Sequence, residues 1–340
     1  MVRDDSQLRA RRPDIATHTI SAPYLSTQRT MRTIANNRAP PPMTPTELAR
    51  FVRQVEIKTR GLSSQVFSGE YQAAFRGRGM SFSEVRTYQP GDDVRDIDWN
   101  VTARTGTPHV KIFEEERELT VLIVADASAS MRAGTRGQSK RRLATELAAV
   151  LGSAALNNND KVGGVLFGAG AAAERPMLVP PKKGFQHVLR IVREMVAAPE
   201  DGTAGGDLPE TLRFVDRVMR RRAICFVVSD FLAPGDYRTP LRVLARRHDV
   251  VGLQLTDAFE DALPDVGLVQ LEDPETGQRR LVDTSDENTR LRHALYYRRA
   301  REAAAQEFRQ AGAQLLELRC GEDYVRRLLA FFQQRHKLRS

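Results

Sequence analysis

The stretch Leu119-Thr120-Val121-Leu122-Ile123-Val124-Ala125-Asp126-Ala127-Ser128-Ala129-Ser130 decides how the rest of the chain is read. Its first seven residues are apolar or β-branched almost without a break. A strand buried on both faces has this texture, and both faces are covered in the interior of a parallel sheet. The run then stops at a carboxylate and two hydroxyls on alternate positions. An extended turn aims alternate side chains one way, so Asp126, Ser128 and Ser130 are expected to share a direction.

The same texture recurs downstream. Ala223 to Ser229 reads as a second buried strand and ends in Ser229-Asp230, and Asp249 to Leu255 reads as a third. Helical periods fill the intervals: Lys140 to Asn157, with Leu143, Leu147, Val150 and Leu151 on one face, then Phe185 to Val196, Leu208 to Arg221 and Leu241 to Arg246. Val162 to Phe167 and Glu174 to Val179 form an expected strand pair across Gly168-Ala169-Gly170. A β-hairpin is expected at about 266–282, turning at Asp273-Pro274-Glu275-Thr276-Gly277. A long helix from Glu287 to Ala311 leads to a strand, Gln314 to Leu318, and a closing helix from Tyr324 to Arg335. Alternating strands and helices specify an α/β fold, a doubly wound Rossmann-like sheet over 119–340.

Upstream the texture differs. Residues 1–43 are polar, Arg-rich and end in Pro40-Pro41-Pro42, as expected of a disordered tail. Residues 44–60 predict a helix. Thr44 caps it, Pro45 takes the first turn, Glu47 completes a capping box, and Leu48, Phe51, Val52 and Val55 repeat at helical spacing. Over 61–118 glycines punctuate short alternating segments, which predict a small β-rich elaboration.

Composition limits the functional classes. A chain of 340 residues allows roughly two units at about 150 residues each. Two cysteines exclude a disulfide scaffold and a cysteine zinc site, and point to a reducing, cytoplasmic setting. No apolar run approaches the ~20 residues of a membrane span, and the N-terminus has no apolar leader region. The formal net charge is +9. Residues 1–43 hold seven arginines against three aspartates, so nearly half of that charge lies in the tail.

In open α/β sheets ligands gather beyond the carboxyl ends of the strands. Three segments meet that condition: Asp126-Ala127-Ser128-Ala129-Ser130, Ser229-Asp230, and the Gly202-Thr203-Ala204-Gly205-Gly206 loop before a helix. They offer carboxylates and hydroxyls, hard oxygen donors that suit Mg²⁺, with Mn²⁺ or Ca²⁺ as alternatives, and not zinc. The plainer reading of the same residues is helix capping and turn chemistry.

Catalytic alternatives fare worse. A dehalogenase-type phosphatase needs a second Asp two residues after the first, where this chain has Ser128. The six histidines sit in no recognisable motif, and neither a GxSxG elbow nor a Walker loop occurs. A metal-dependent hydrolase therefore stays open only as an alternative, and no enzyme is expected. Asp92, Asp93, Asp96 and Asp98 follow a Pro90-Gly91 turn and match no calcium loop, so ion pairs with Arg86, Arg95 and Arg104 are expected. Trp99 is expected as a buried anchor, Cys225 as a core residue and Cys320 as more exposed. The clusters Lys140-Arg141-Arg142, Arg220-Arg221-Arg222, Arg246-Arg247, Arg279-Arg280 and Arg298-Arg299 lie on several elements and read as solvated helix faces. A nucleic-acid binder would concentrate them with aromatics, so an acidic protein partner is the better match and no nucleic acid is expected.

Asp-x-Ser-x-Ser after an apolar strand, a Gly-Thr loop roughly 75 residues later and a strand ending in Ser-Asp together resemble a von Willebrand factor A domain. The resemblance implies a metal-ion-dependent adhesion site. Ser128, Ser130 and Thr203 would be hydroxyl ligands, and Asp126 and Asp230 would bind directly or through water. So few charges leave the ion electrophilic and open to a partner carboxylate. The preceding block sharpens the match: Phe75-Arg76-Gly77-Arg78-Gly79, the run from Phe82 to Trp99, Ala103-Arg104, and Phe113-Glu114-Glu115-Glu116-Arg117-Glu118. It resembles the bacterial family called domain of unknown function 58. That resemblance implies an adaptor working with a MoxR-type AAA+ ATPase. Many relatives carry membrane helices ahead of this block, where this chain has its Pro- and Arg-rich tail.

Overall fold

The computed structural model describes residues 50, 65–75, 85–92, 94, 97, 99–111, 118–135, 137–169, 175–198, 207–232, 235–273 and 278–339. The expected tail at 1–43 lies outside them, as does the helix expected over 44–60 apart from Arg50. In chain order the elements are α1 (Gln65–Phe75), β1 (Val85–Thr87), α2 (Trp99–Thr105), β2 (His109–Lys111), β3 (Thr120–Asp126), α3 (Lys140–Asn157), β4 (Lys161–Phe167) and β5 (Met177–Lys182). There follow α4 (Phe185–Ala197), α5 (Leu208–Val218), β6 (Ile224–Ser229), α6 (Arg238–Arg247), β7 (Asp249–Thr256) and a single turn, α7 (Ala258–Asp261). The chain then forms β8 (Leu268–Glu272), β9 (Arg279–Asp283), α8 (Glu287–Ala311), β10 (Gln314–Arg319) and α9 (Tyr324–Arg339).

Six strands make the central sheet in the order β10-β7-β6-β3-β4-β5. All pairs are parallel except β4 with the edge strand β5. Pro180 and Pro181 fall on β5, where an edge strand tolerates their missing donors. β3 is buried along its length beyond Thr120 and divides its side chains between two cores. Val121, Ile123 and Ala125 pack with α3, α4 and α9. Leu122 and Val124 pack with α5, α6 and α8. Helices on both faces make the doubly wound sheet that the strand–helix alternation predicted. The hairpin also forms, as β8 paired antiparallel with β9.

Helix ends follow local chemistry. Asp286 caps α8 by accepting bonds from the amides of Asn288 and Thr289. Gly312 ends it at φ 74°, with the amide of Ala313 bonding back to the Phe308 carbonyl. Asp207 caps α5 through the Glu210 amide at 2.8 Å, with Pro209 in the first turn.

The block before β3 departs from its β-rich expectation. Its described residues hold two three-residue strands, β1 and β2, beside two helices. Phe67, Tyr71, Ala74 and Phe75 repeat at helical spacing, and the three rings pack around Phe332 of α9 at 5.6–5.9 Å. Arg335 of α9 donates to the Ala74 carbonyl and lies 4.5 Å from the Phe75 ring centre. Helix α1 therefore completes a core of the α/β sheet. The Gln89–Asp92 turn forms as expected, with Arg86 bidentate to Asp92 at 2.7 and 2.6 Å. Trp99 is 66% exposed, because α2 buries none of its residues, so the expected anchor is absent. Cys225 is a core residue. Cys320 is fully buried too, since its amide continues the β10 ladder to the Thr256 carbonyl at 2.9 Å and holds it in the core.

His248, buried at the end of α6, accepts a hydrogen bond at Nδ1 from the Ala223 amide at 3.2 Å. Burial, reinforced by Arg247, holds its pKa below the usual 6.5. A proton therefore binds the ring less well in the fold than in the unfolded chain, so the stability His248 contributes is complete above 6.5 and lost as pH falls through the lowered folded value. The expected outcome is a urea midpoint that drops below pH 6.5, with a shallower drop in His248→Asn, whose side-chain oxygen accepts the same bond without titrating. Equal slopes for both proteins would refute the assignment.

Candidate functional site at the sheet switch point

From β3 the chain winds outward to β4 and β5, then returns to place β6 on the other side of β3. The winding reverses between β3 and β6, and a crevice opens there beyond the strand ends. The register pairs Ala125 with Val228, so the next residues, Asp126 and Ser229, stand side by side. Ser229 donates its hydroxyl to Asp126 Oδ2 at 2.7 Å. The Ser128 amide donates to Asp126 Oδ1 at 2.8 Å, and the hydroxyls of Ser128 and Ser130 lie 3.2 Å apart. Gly168, after β4, makes room for this turn. Its φ is +73°, and a Cβ there would meet the Ser128 backbone at 2.9 Å.

Asp126 is a buried carboxylate that, among the described residues, hydrogen-bonds only the neutral donors of Ser128 and Ser229. Burial first, and the charge of Asp230 second, push its pKa up to about 7 against those bonds. Asp230 is buried as well but differently served. Its Oδ1 accepts the Leu232 amide at 3.1 Å, and its Oδ2 accepts Lys140 Nζ at 3.0 Å.

Lys140 opens α3 and is 2% exposed. Its ammonium is shared between Asp230 and Glu260 of α7. Burial opposes its charge, but the two carboxylates outweigh burial and hold its pKa above the usual lysine range. Glu260 has only a share of that one cation, and burial leaves its own pKa raised. The network runs on through Arg301 to Asp261, which also meets Arg319. Asp257 fixes the loop above, accepting the Thr135 amide at 3.0 Å and hydroxyl at 2.7 Å.

Of the predicted site residues, Asp126, Ser128, Ser130 and Asp230 meet in this crevice, and Thr203 lies outside the described residues. The solvated-face reading of Lys140-Arg141-Arg142 fails for its first two members. Lys140 is drawn in by Asp230 and Glu260, and Arg141 by the carbonyls of Met195 and Ala198. Lys140, Glu260 and the bridging hydroxyl of Ser229 are the site members that sequence reasoning missed. Ser229 had a visible signal in its place beside Asp230. Lys140 and Glu260 had none, since their partners are remote in sequence.

The donors at Asp126, Ser128 and Ser130 fit a hard cation. They are oxygens, and no cationic side chain among the described residues bonds Asp126. Nor do the described residues contain a group of three His, Cys, Asp or Glu side chains placed to hold a metal, so serine hydroxyls would have to share in binding.

A six-stranded doubly wound sheet with one antiparallel edge strand, carrying Asp-x-Ser-x-Ser at its switch point, defines a von Willebrand factor A-like domain. The family model described as "Protein of unknown function DUF58" matches residues 84–303, and the chain belongs to that family. Uncharacterized protein Mb1516 of Mycobacterium bovis and Uncharacterized protein Rv1480 of Mycobacterium tuberculosis are each 36% identical to it over 295 residues, spanning 86% of this chain and 90% of theirs. Among solved structures, the conserved hypothetical protein BatB from Bacteroides thetaiotaomicron aligns with TM-score 0.40 and 14% identity, over 64% of this chain and 99% of its own.

Removing the Lys140 ammonium strands Asp230 and Glu260 in the interior, a loss of about 3–5 kcal/mol for a buried pair broken on one side. Lys140→Met is expected to lower the urea midpoint accordingly. Adding Asp230→Asn to it is expected to cost less than the two single losses together, because the partners share one interaction. Strictly additive losses would contradict the coupling.

Proposed function

We propose that this chain is a protein-binding module that takes up a divalent cation, Mg²⁺ with Mn²⁺ or Ca²⁺ as alternatives, at Asp126, Ser128, Ser130, Thr203 and Asp230. The observation that carries the reading is the unneutralised, buried Asp126 beside two serine hydroxyls at the switch point. A bound cation would supply an electrophilic position for a carboxylate from a partner protein. Asp126 would hold the ion's charge, with Ser229 and the Ser128 amide fixing the carboxylate plane. Lys140 already takes one oxygen of Asp230 at 3.0 Å, which leaves less of that carboxylate for an ion. Site charge is thereby kept low, and a weakly neutralised ion binds an external carboxylate more strongly.

The reading is non-catalytic. Among the described residues no histidine lies in the crevice, and its one lysine is fully engaged by two carboxylates, so neither offers a general base beside the serines. No helix among the described residues is long and apolar enough to cross a membrane. Family resemblance supports a MoxR-type AAA+ ATPase as the working partner, the basic net charge of +9 supports an acidic protein ligand, and the two cysteines support a reducing, cytoplasmic setting.

Cation binding to the folded state alone stabilises it by about 2.7 kcal/mol at a hundredfold excess over Kd. Mg²⁺ or Mn²⁺ is therefore expected to raise the Tm of the full chain, EDTA to reverse the rise, and Asp126→Ala to remove the response. A partner ATPase is expected to be retained by the wild-type chain in Mg²⁺ and lost with EDTA or with Asp126→Ala. A wild-type Tm indifferent to all three cations would overturn the metal reading. Retention that ignores both EDTA and the substitution would overturn carboxylate capture.

A further inference from the structure

Two residues beyond the crevice the surface turns apolar. Phe231 and Leu232 follow Asp230 directly and line one wall of a cleft of about 620 Å³, whose other wall is α8. Leu295 and Tyr296 line it from the helix, and Leu291 extends the same stripe. These three are 42%, 62% and 53% exposed, large apolar side chains on one helix face with no described element over them. Arginines frame them. Arg292 and Arg299 line the cleft, and both are exposed. The acid within it, Glu307, is already held by Arg238 at 3.2 Å. Arg292 has a distant carboxylate contact, Asp286 at 3.9 Å, and Arg299 makes no ion pair among the described residues. The cleft thus combines an apolar floor, an aromatic edge and a surplus of positive charge. It is continuous with the strand end that carries Asp230, through the Leu232 amide that bonds that carboxylate.

We propose that this cleft is a docking groove for an acidic, aromatic- or leucine-containing segment of a partner protein. Its apolar side chains would enter between Phe231 and Tyr296, and its carboxylates would meet Arg292 and Arg299. The proposal rests on the protein-binding reading above and gives the partner its chemistry. Charge decides the occupant. A basic segment, such as this chain's own arginine-rich residues 1–43, would face two like charges, and a second copy would bring the same arginines against themselves. An acidic amphipathic segment satisfies both the floor and the rim. Its groove lies beside the crevice, so one partner can fill both.

A random twelve-residue peptide library displayed on phage and selected against the full chain tests this directly. The groove predicts enrichment of peptides carrying Asp or Glu with Leu, Phe or Trp. Their binding, read by fluorescence anisotropy of the synthetic peptides, is expected to weaken at least tenfold in Tyr296→Asp and in Arg299→Glu. Both positions are exposed, so circular dichroism and Tm should stay at wild-type values. Arg299→Lys is expected to retain most of the binding. Acidic peptides indifferent to both variants but lost with EDTA or Asp126→Ala would overturn the groove while leaving the carboxylate-capture reading intact. Peptides lost with the groove variants and unaffected by EDTA would support the groove and count against the metal. Enrichment of basic peptides, or of none, would overturn the groove. So would a concentration-dependent dimer in sedimentation that Tyr296→Asp abolishes, because the face would then belong to a second copy.

Discussion

The parallel pairing of β3 with β6 is the constraint on which the remainder depends. It joins strands separated by two crossings of the sheet, and it is where the winding changes direction. With Ala125 opposite Val228, the last ladder position is apolar and buried, and the chains part immediately beyond it. Each strand then delivers its polar end into the gap: Asp126 and Ser128 from one, Ser229 and Asp230 from the other. A shift of one residue in this register would turn Leu122 and Val124 into the opposite core. The two cores differ in their contents, with Tyr71, Phe75 and Phe332 on one side and Tyr237 and Phe308 on the other, so packing enforces the register. The same packing therefore fixes the distance between the carboxylates.

That proximity creates an electrostatic problem that the rest of the site resolves unevenly. Two buried carboxylates side by side repel, and burial costs each of them separately. Asp230 receives a cation, the Lys140 ammonium that it shares with Glu260. Among the described residues Asp126 receives only dipoles, from the Ser128 amide and the hydroxyls of Ser128 and Ser229. The asymmetry concentrates unsatisfied negative potential on one side of the crevice, the side where Ser128 and Ser130 present their oxygens. Lys140 also ties the first turn of α3 to the end of β6 and to α7, so the network spans three connections of the sheet. A buried ion pair of this kind adds little net stability compared with apolar packing, but it specifies which carboxylate is neutralised.

Much of this was legible in the sequence. The apolar run ending in Asp126 marked the central strand, and Ser229-Asp230 marked its neighbour. The long helix was read from Glu287 to Ala311, and its ends fall where Asp286 and Gly312 cap it, because capping residues act within one turn and need no tertiary partner. Helix α1 was legible in principle, since Phe67, Tyr71, Ala74 and Phe75 keep a helical period, but the glycines around it drew the reading towards strands. Lys140 and Arg141 were not legible. A Lys-Arg-Arg run at the start of a helix is ordinarily solvated, and nothing local shows that Asp230, ninety positions on, will claim the first of them. Trp99 erred the other way. A large aromatic is usually buried, but its helix packs none of its residues away. Local chemistry is readable where its partners are local, and long-range ion pairing is not.

Phe231 shows how the crevice and the neighbouring cleft are made by one turn. It sits at φ 56°, a left-handed conformation that a residue other than glycine adopts at a cost of about 1–2 kcal/mol. Glycine there would relieve the strain but would forfeit the packing of the Phe231 ring. Its ring packs against Phe308 at 5.1 Å and Tyr237 at 6.0 Å, and burying a phenylalanine contributes roughly 1.5–3 kcal/mol. Its amide meanwhile donates to the Ser229 hydroxyl oxygen at 3.0 Å, which orients that hydroxyl's proton towards Asp126. Reversing the chain at this point turns Asp230 up to Lys140 and Phe231 down into the core, and leaves Leu232 at the lip of the cleft. Strain at a single residue thus sets the polar wall of the crevice and the apolar wall of the cleft together, which ties the geometry of one to the geometry of the other.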